Sequence, residues 1–271
     1  MPLSPGAHRA RAAAELRWRR ATAAFRTLPD VVILGAQRGG TTSLFDWLAL
    51  HPKVAPSTTK EVHYFDRYYA NGEGWYRSHF PLKVVRRISV EATPYLLFSP
   101  LAPGRAASDL PGSTRFVVLL RDPVQRAISH YWHSRRIHAE DEALDVALAR
   151  EEQRLAGQEE IVLAGGESFA YRNFSYKARG QYAEQLRRWF GVIERDRILV
   201  MKSEELFEDP RGPARALEWL GLSPFDVAFP LANDAPRSSP EAPSVVEGLR
   251  RHFAPYNEDL FELLGRRLWN S

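Results

Sequence analysis

The sequence predicts an α/β fold, a three-layer sandwich in which a central parallel sheet is flanked by helices. Predicted strands and helices alternate along the chain, as they do when helices connect parallel strands. Two of the strands, at 30–35 and 115–120, are continuous apolar runs, which is typical of strands buried on both faces. With 271 residues, 44% of them apolar, the chain can bury a core of this kind.

The remaining elements follow from apolar spacing and from helix stop signals. The helix after the first strand, at 42–50, has apolar residues at helical spacing and ends before Pro52. Pro123 suits the first position of the helix that follows the strand 115–120. Five prolines within 222–244 favour an irregular loop. Further short strands are predicted at 87–91 and 197–201, and further helices at 8–27, 124–136, 140–158, 181–190, 213–220 and 245–268.

Composition excludes several classes of protein. The chain has no cysteine, which excludes a disulfide framework and a thiolate zinc site and suits a reducing, cytoplasmic location. No run approaches the roughly 20 apolar residues that cross a bilayer, so no transmembrane segment is expected. The N-terminus also lacks the apolar region of a signal peptide.

The net charge of +4 is unevenly distributed along the chain. Residues 1–28 hold six arginines and one acid, so the rest of the chain carries a charge of −1. We therefore expect a basic helical extension at 1–28, one domain at 29–271, and no nucleic-acid partner. The extension is predicted to be a surface helix packed on the body, with a membrane-surface or partner helix as the alternative. The sequence makes no prediction of oligomeric state.

The segment 35–43, Gly-Ala-Gln-Arg-Gly-Gly-Thr-Thr-Ser, joins the first buried strand to a helix. Its glycines allow amide N–H groups to converge, and the helix N-terminus adds partial positive charge, so an anion site for phosphate or sulfate is predicted. The Gly-x4-Gly spacing is P-loop-like, yet Thr41 occupies the position where a nucleoside triphosphatase needs lysine, and the cation is Arg38. A glycine turn that serves packing alone is the alternative.

A second anion-binding element follows the strand 115–120. Arg121 is expected at the carboxyl end of a parallel strand, where a guanidinium can hold a phosphate through paired hydrogen bonds. Ser129, on the next helix, adds a hydroxyl donor. A helix start beside a solvated arginine is the alternative for this element.

These two elements resemble the motifs of a known family. The segment 35–43 resembles the 5′-phosphosulfate loop of sulfotransferases, and Arg-Asp-Pro-Val-Gln-Arg-Ala-Ile-Ser-His-Tyr at 121–131 resembles their 3′-phosphate motif. Lys-Glu-Val-His-Tyr-Phe-Asp at 60–66, Gly-Trp-Tyr at 74–76 and Glu-Ala-Thr-Pro at 91–94 are similar to the heparan sulfate glucosaminyl sulfotransferases and their bacterial relatives, above all the 3-O branch. The resemblance extends over roughly 29–269.

The resemblance implies a reaction and a set of site residues. The donor would be 3′-phosphoadenosine 5′-phosphosulfate (PAPS), the donor product 3′-phosphoadenosine 5′-phosphate (PAP), and the acceptor a hydroxyl of a glycan or small metabolite, with no metal ion. Glu61 would be the general base, and Arg38 the loop cation that neutralises the bridging oxygen. His63 and Asp66 would orient either the acceptor or Glu61. The implied donor contacts are Arg38, Gly39, Gly40, Thr41, Thr42, Ser43, Arg121, Ser129 and Arg237.

The sequence departs from this family at several positions. Arg38 stands where the family usually has a lysine. Ala92 stands where the family has a second lysine, which lies near the sulfate. Either Arg38 suffices, or another arginine substitutes, or the acceptor differs. A P-loop kinase or nucleoside triphosphatase and a non-catalytic nucleotide-binding protein remain as alternatives. The histidines His130, His133 and His138 lack the acids or cysteines that would complete a metal site.

Overall fold

A computed structural model describes residues 14–209, 211–230 and 241–269. Its centre is a sheet of five parallel strands in the order β2-β3-β1-β4-β5. The strands are β1 (Val31–Gly35), β2 (Val54–Pro56), β3 (Ile88–Ala92), β4 (Arg115–Leu120) and β5 (Ile198–Lys202). Four of them confirm predicted strands to within a residue, whereas the three-residue edge strand β2 was not predicted.

Helices cover both faces of this sheet, which gives the three layers of the predicted α/β fold. Residues 14–21 are helical and are called α1. The later helices are α2 (Thr41–Ala49), α3 (Gly72–Arg77), α4 (Ala102–Asp109), α5 (Pro123–Arg136), α6 (Leu144–Leu155), α7 (Gln158–Leu163), α8 (Phe169–Asn173), α9 (Tyr182–Phe190), α10 (Ser203–Glu208), α11 (Arg211–Leu220) and α12 (Pro243–Leu264). Within the part of the chain that the structure describes, no helix has the length and apolar character needed to cross a membrane.

The core lies on both sides of the sheet because successive strand residues point to opposite faces. Val32 and Leu34 of β1 belong to one buried cluster, together with Trp189 of α9. Ile33 belongs to a second cluster on the other face, together with Leu44 of α2. Burial on both faces explains why β1 is apolar at every position.

The prediction of one helix over 140–158 is wrong. The carboxylate of Glu140 accepts hydrogen bonds from the backbone amides of Asp141 (3.1 Å) and Glu142 (3.0 Å), so these residues form a turn and α6 starts later. At Ala156 the backbone leaves the helical region, with ψ of 124°, and α7 follows as a separate helix.

The terminal helices also differ from their predicted bounds. Of the predicted helix 8–27, residues 8–13 lie outside the described residues, and the helix ends at 21 before a short 3₁₀ turn, Ala23–Phe25. The C-terminal helix begins two residues before the predicted 245 and ends at Leu264 instead of 268. Of the predicted loop 222–244, the described residues 222–230 and 241–242 are irregular, but the loop ends two residues early because Pro243 begins the C-terminal helix.

The course of the chain creates a crevice at one edge of the sheet. From β1 the chain continues to β2 and β3 on one side, and from β4 it continues to β5 on the other side. Open α/β sheets bind ligands at the carboxyl ends of two such diverging strands. The loop 36–40 follows β1 and the dipeptide 121–122 follows β4, so both predicted anion-binding elements lie at this crevice.

Candidate active site

The loop between β1 and α2 is held against the end of β4. The amide of Ala36 donates to the carbonyl oxygen of Leu119 at 2.8 Å, and the amide of Gly39 donates to that of Ala36 at 2.9 Å. A Cβ atom on Gly39 would lie 2.7 Å from the Leu119 oxygen. Gly40 has a φ of 87°, and a Cβ atom there would lie 2.7 Å from the ring of Phe207. This backbone therefore requires glycine at both positions.

Hydrogen bonds join the loop to the second predicted element. Nε of Arg38 donates to Oγ of Ser129 at 3.0 Å. Nη1 of Arg121 donates to the carbonyl oxygen of Arg38 at 3.3 Å. The buried Tyr182 donates its hydroxyl to the carbonyl oxygen of Arg121 at 2.8 Å. The three predicted phosphate-binding side chains are therefore neighbours.

A cavity of about 510 Å³ opens beside the loop. The predicted residues from Arg38 to Ser43 line it, together with Arg121. It is also lined by residues that the sequence analysis missed: Gln125, Ser203, Glu204, Phe207 and Glu208. Four of these belong to α10, which directly follows a predicted strand at the same edge of the sheet. Their position directly after a predicted strand could have identified these residues as cavity-lining. The spacing of apolar residues could not, because α10 is too short to show helical periodicity. Arg237 lies outside the described residues.

Of the predicted catalytic residues, Arg38 lies in the glycine loop, whereas Glu61, His63 and Asp66 form a chain of side chains in the segment between β2 and β3. Nε2 of His63 lies 3.5 Å from Oε2 of Glu61, and Nδ1 of His63 lies 2.9 Å from Oδ2 of Asp66. Nζ of Lys60 lies 2.7 Å from Oε1 of Glu61. The amide of Glu61 donates to the carbonyl oxygen of Ala92 at 2.9 Å, which ties this segment to the end of β3.

Two residues of this segment have an uncommon backbone conformation. Glu61 has a φ of 62° and His63 a φ of 56°, in the left-handed region that residues other than glycine seldom adopt. Such strain persists only where the surroundings impose it, and it concentrates at functional sites. The conformation therefore marks this segment as a candidate site independently of its motif.

The three side chains perturb one another's ionisation. The hydrogen bond from His63, followed by the charge of Lys60, lowers the pKa of Glu61 to about 2 in spite of burial. Burial lowers the pKa of His63, but its hydrogen bonds with Asp66 and Glu61 outweigh burial and raise the pKa to about 9. Near neutral pH the site therefore holds an ionised Glu61 beside a protonated His63.

The two predicted halves of the site follow neighbouring strands. Glu61 is bonded to the carbonyl oxygen of Ala92 at the end of β3, and Ala92 pairs with Ile33 of β1, so both segments lie at the carboxyl ends of adjacent strands. On α5, burial, followed by the charges of Arg38 and Arg136, lowers the pKa of His133, whereas the charge of Glu61 raises it. Among the described residues, no group of three or more histidine, aspartate and glutamate side chains could hold a metal ion.

Two arginines that the motifs did not single out lie beside the site. Nη2 of Arg172 is 3.4 Å from Oδ2 of Asp66, and its guanidinium lies 4.2 Å from the ring centroid of Tyr95. The buried Arg179 donates to the side-chain oxygen of Gln37, in the glycine loop, and to the carbonyl oxygen of Arg172 at 2.5 Å. Burial lowers the pKa of Arg179 to about 10, so it stays charged near neutral pH. Together they bring positive charge to both halves of the site.

Comparisons with known proteins agree with the resemblance drawn from the motifs. A family model described as a sulfotransferase domain matches residues 28–224. The mouse (Mus musculus) heparan sulfate glucosamine 3-O-sulfotransferase 5 is 27% identical over 268 residues, which cover 89% of this chain and 73% of that protein. The mouse heparan sulfate glucosamine 3-O-sulfotransferase 3B1 is 28% identical over 275 residues, which cover 89% of this chain and 64% of that protein.

A solved structure supports the fold. The crystal structure of a sulfotransferase from Alicyclobacillus acidocaldarius superposes with a TM-score of 0.69 at 27% identity, covering 89% of this chain and 98% of that one. The predicted α/β fold, a parallel sheet flanked by helices with a P-loop-like glycine loop after its first strand, is confirmed.

Proposed function

The chain belongs to the sulfotransferase domain family, and on this basis we propose that it transfers a sulfuryl group from PAPS to an acceptor hydroxyl. One observation carries the proposal. The glycine loop, Arg121 and Ser129 meet at one crevice through direct hydrogen bonds, and the Glu61–His63 pair is tied to the end of β3, the strand beside β1. The alternative of a nucleoside triphosphatase is disfavoured by Thr41 in the lysine position.

The residues at the crevice fit the donor. Gly39 and Gly40 leave the backbone without side-chain cover at the start of α2, where an anion is favoured by the helix dipole. Arg38 and Arg121 add two full positive charges to the lining of the same cavity. PAPS, when bound, supplies the activated sulfuryl group. We assign its 5′ side to the glycine loop with Arg38, and its 3′-phosphate to Arg121 with Ser129.

Glu61 is the proposed general base. Its low pKa keeps it ionised, and it accepts the proton only as the acceptor oxygen bonds to sulfur and its hydroxyl becomes strongly acidic. Asp66 fixes the imidazole of His63 through Nδ1 and so directs Nε2 at Glu61. His63 and Asp66 are therefore assigned to orienting Glu61.

Arg38 is the proposed cation for the charge that develops on the leaving phosphate. A guanidinium keeps its proton at any physiological pH, so its contribution is electrostatic. Ala92 is buried in the core beneath α2 and offers no charge. The family has a lysine at the position of Ala92. Of the three explanations given above for its absence, replacement by another arginine is supported by Arg172, which lies beside Asp66.

The acceptor is proposed to be a hydroxyl of a glycan or of a small metabolite. The glycan is suggested by relatives that are named as heparan sulfate glucosamine 3-O-sulfotransferases. The absence of cysteine suits a reducing compartment, and we propose a cytoplasmic location on that ground.

Calorimetry with nucleotides tests the donor assignment. We expect metal-free binding of PAP, at least about tenfold tighter than that of ADP, because ADP cannot use the 3′-phosphate contacts of Arg121 and Ser129. ATP hydrolysis that requires Mg²⁺ would instead support a nucleoside triphosphatase. Binding of PAP without sulfuryl transfer to any of a broad panel of hydroxylated acceptors would support a non-catalytic protein.

A further inference from the structure

Two segments expose apolar side chains at the amino ends of the strands, the end of the sheet opposite to the active site. Phe25 is 70% exposed and Val84 is 79% exposed, in the segments that lead into the amino ends of β1 and β3. Two further residues complete what we call the apolar edge patch: Trp18 and Val85. Single exposed apolar residues are ordinary, but four in adjoining segments indicate a contact surface.

Backbone contacts hold the two segments side by side. An isolated antiparallel bridge pairs Arg26 with Leu82, and Nζ of Lys83 donates to the carbonyl oxygen of Ala24 at 3.2 Å. Phe25 therefore neighbours the 3₁₀ turn that carries the two valines.

The side chain of Arg26 anchors α1 to the same edge. Its guanidinium lies 4.6 Å from the ring centroid of Trp18, its Nη1 donates to the carbonyl oxygen of Phe80 at 2.8 Å, and its Nε donates to that of Arg19 at 3.2 Å. The patch is therefore fixed to the domain.

The two segments that carry the patch are strongly basic, and the acid Glu73 of the neighbouring helix α3 is paired with Arg77. Within residues 14–28 and 81–88 there is one acid, Glu15. Exposed cations lie in the same segments: Arg17, Arg20, Lys83, Arg86 and Arg87. Two copies of this surface placed face to face would bring like charges together, which disfavours a second copy of the chain as the occupant.

We propose that the apolar edge patch docks the protein onto a membrane surface that contains anionic lipid. Aromatic and aliphatic side chains enter the headgroup region while neighbouring arginines and lysines attract the lipid phosphates. The donor cavity follows the carboxyl ends of β1 and β4, and the patch precedes the amino ends of β1 and β3. Docking in this way leaves the cavity open to water, and the proposal is independent of the reaction proposed above.

Vesicle co-sedimentation of the full chain tests this. We expect the protein to sediment with vesicles of phosphatidylcholine and phosphatidylglycerol, to bind pure phosphatidylcholine weakly, and to be released in part by 0.5 M salt. The double variant Phe25→Ser, Val84→Ser is expected to lose at least about tenfold in vesicle affinity. Arg86→Gln with Arg87→Gln is expected to lose the preference for anionic lipid.

The matched control is Leu163→Ser with Phe169→Ser, two residues of α7 and α8 that are 54% and 61% exposed outside the patch. Vesicle affinity of the control should equal that of the wild type, and all variants should keep their circular dichroism spectrum. Absence of binding to anionic vesicles, or equal binding by the Phe25, Val84 variant, overturns the proposal. So does a dimer in sedimentation velocity that the same variant abolishes.

Discussion

Nε of Arg38 donates a hydrogen bond to Oγ of Ser129 at 3.0 Å, which joins the loop after β1 to the helix after β4. Ser129 follows Arg38 by 91 residues in the sequence, and the parallel sheet brings the two together because β1 and β4 are neighbours. One anionic ligand can thus contact both.

Arg121→Ala is expected to weaken PAP binding by about tenfold to a hundredfold, because it removes a charge-assisted contact to a phosphate. Isothermal titration calorimetry measures the effect. The control is Arg250→Ala, an exposed arginine of α12, which should leave the affinity unchanged. Wild-type affinity in the Arg121 variant would remove this residue from the donor site.

Gly40→Ala is expected to destabilise the fold by about 1–2 kcal/mol and to weaken PAP binding. The added Cβ meets the Phe207 ring at 2.7 Å, and φ of 87° is unfavourable for alanine. Gly104→Ala is the control, since it lies in α4 with nothing within 4 Å of its Cβ position and should be neutral or stabilising. Urea denaturation measures both, and equal stability of the two variants would contradict the geometry.

Arg179→Lys is expected to lower PAP affinity about threefold to tenfold. Lysine keeps the charge but cannot hold the side chain of Gln37 and the carbonyl oxygen of Arg172 at once. The matched control on α9 is Arg188→Lys. If both variants bind PAP like the wild type, Arg179 does not position the loop.

The pKa of His63 near 9 predicts a pH dependence of stability. Because the folded pKa lies above the value near 6.5 of an unfolded chain, the stabilisation is complete below about pH 6.5 and is lost as pH rises through 9. Asp66→Asn removes a partner of the ring, so the His63 pKa should fall and the loss of stability above pH 6.5 should shrink.

Nuclear magnetic resonance titration of the His63 ring measures the pKa, and urea denaturation at pH 6 and pH 9.5 measures the stability. The control is Asp226→Asn, an exposed residue, which should change neither. A His63 midpoint near 6.5 in the wild type, or the same pH dependence of stability in Asp66→Asn, would contradict the electrostatic account.

The sequence predicts the central strands and the donor half of the site well for physical reasons. β1 and the last five residues of β4 are buried on both faces and therefore apolar. Ligand residues that directly follow such strands meet at one edge of the sheet, so the neighbourhood of Arg38 and Arg121 follows once both strands are recognised.

Other parts of the site depend on tertiary packing that leaves no local pattern. Phe207 and Glu204 lie on the six-residue helix α10, and Arg172 lies on the five-residue helix α8; both helices are too short to show periodicity. The prediction of a single helix over 140–158 is wrong because the carboxylate of Glu140 accepts hydrogen bonds from the next two backbone amides and so delays the helix start. The spacing of apolar residues does not reveal such bonds.

The measurement that tests the central claim most directly is transfer of labelled sulfate from PAPS to a panel of hydroxylated acceptors by the wild type and by Glu61→Gln. The wild type should label at least one acceptor, and the variant should be slower by about a hundredfold or more while binding PAP with unchanged affinity. The control Glu160→Gln, on α7, should match the wild type. Transfer by Glu61→Gln at the wild-type rate would contradict the role of Glu61, and no labelled acceptor with the wild type would contradict the proposed reaction.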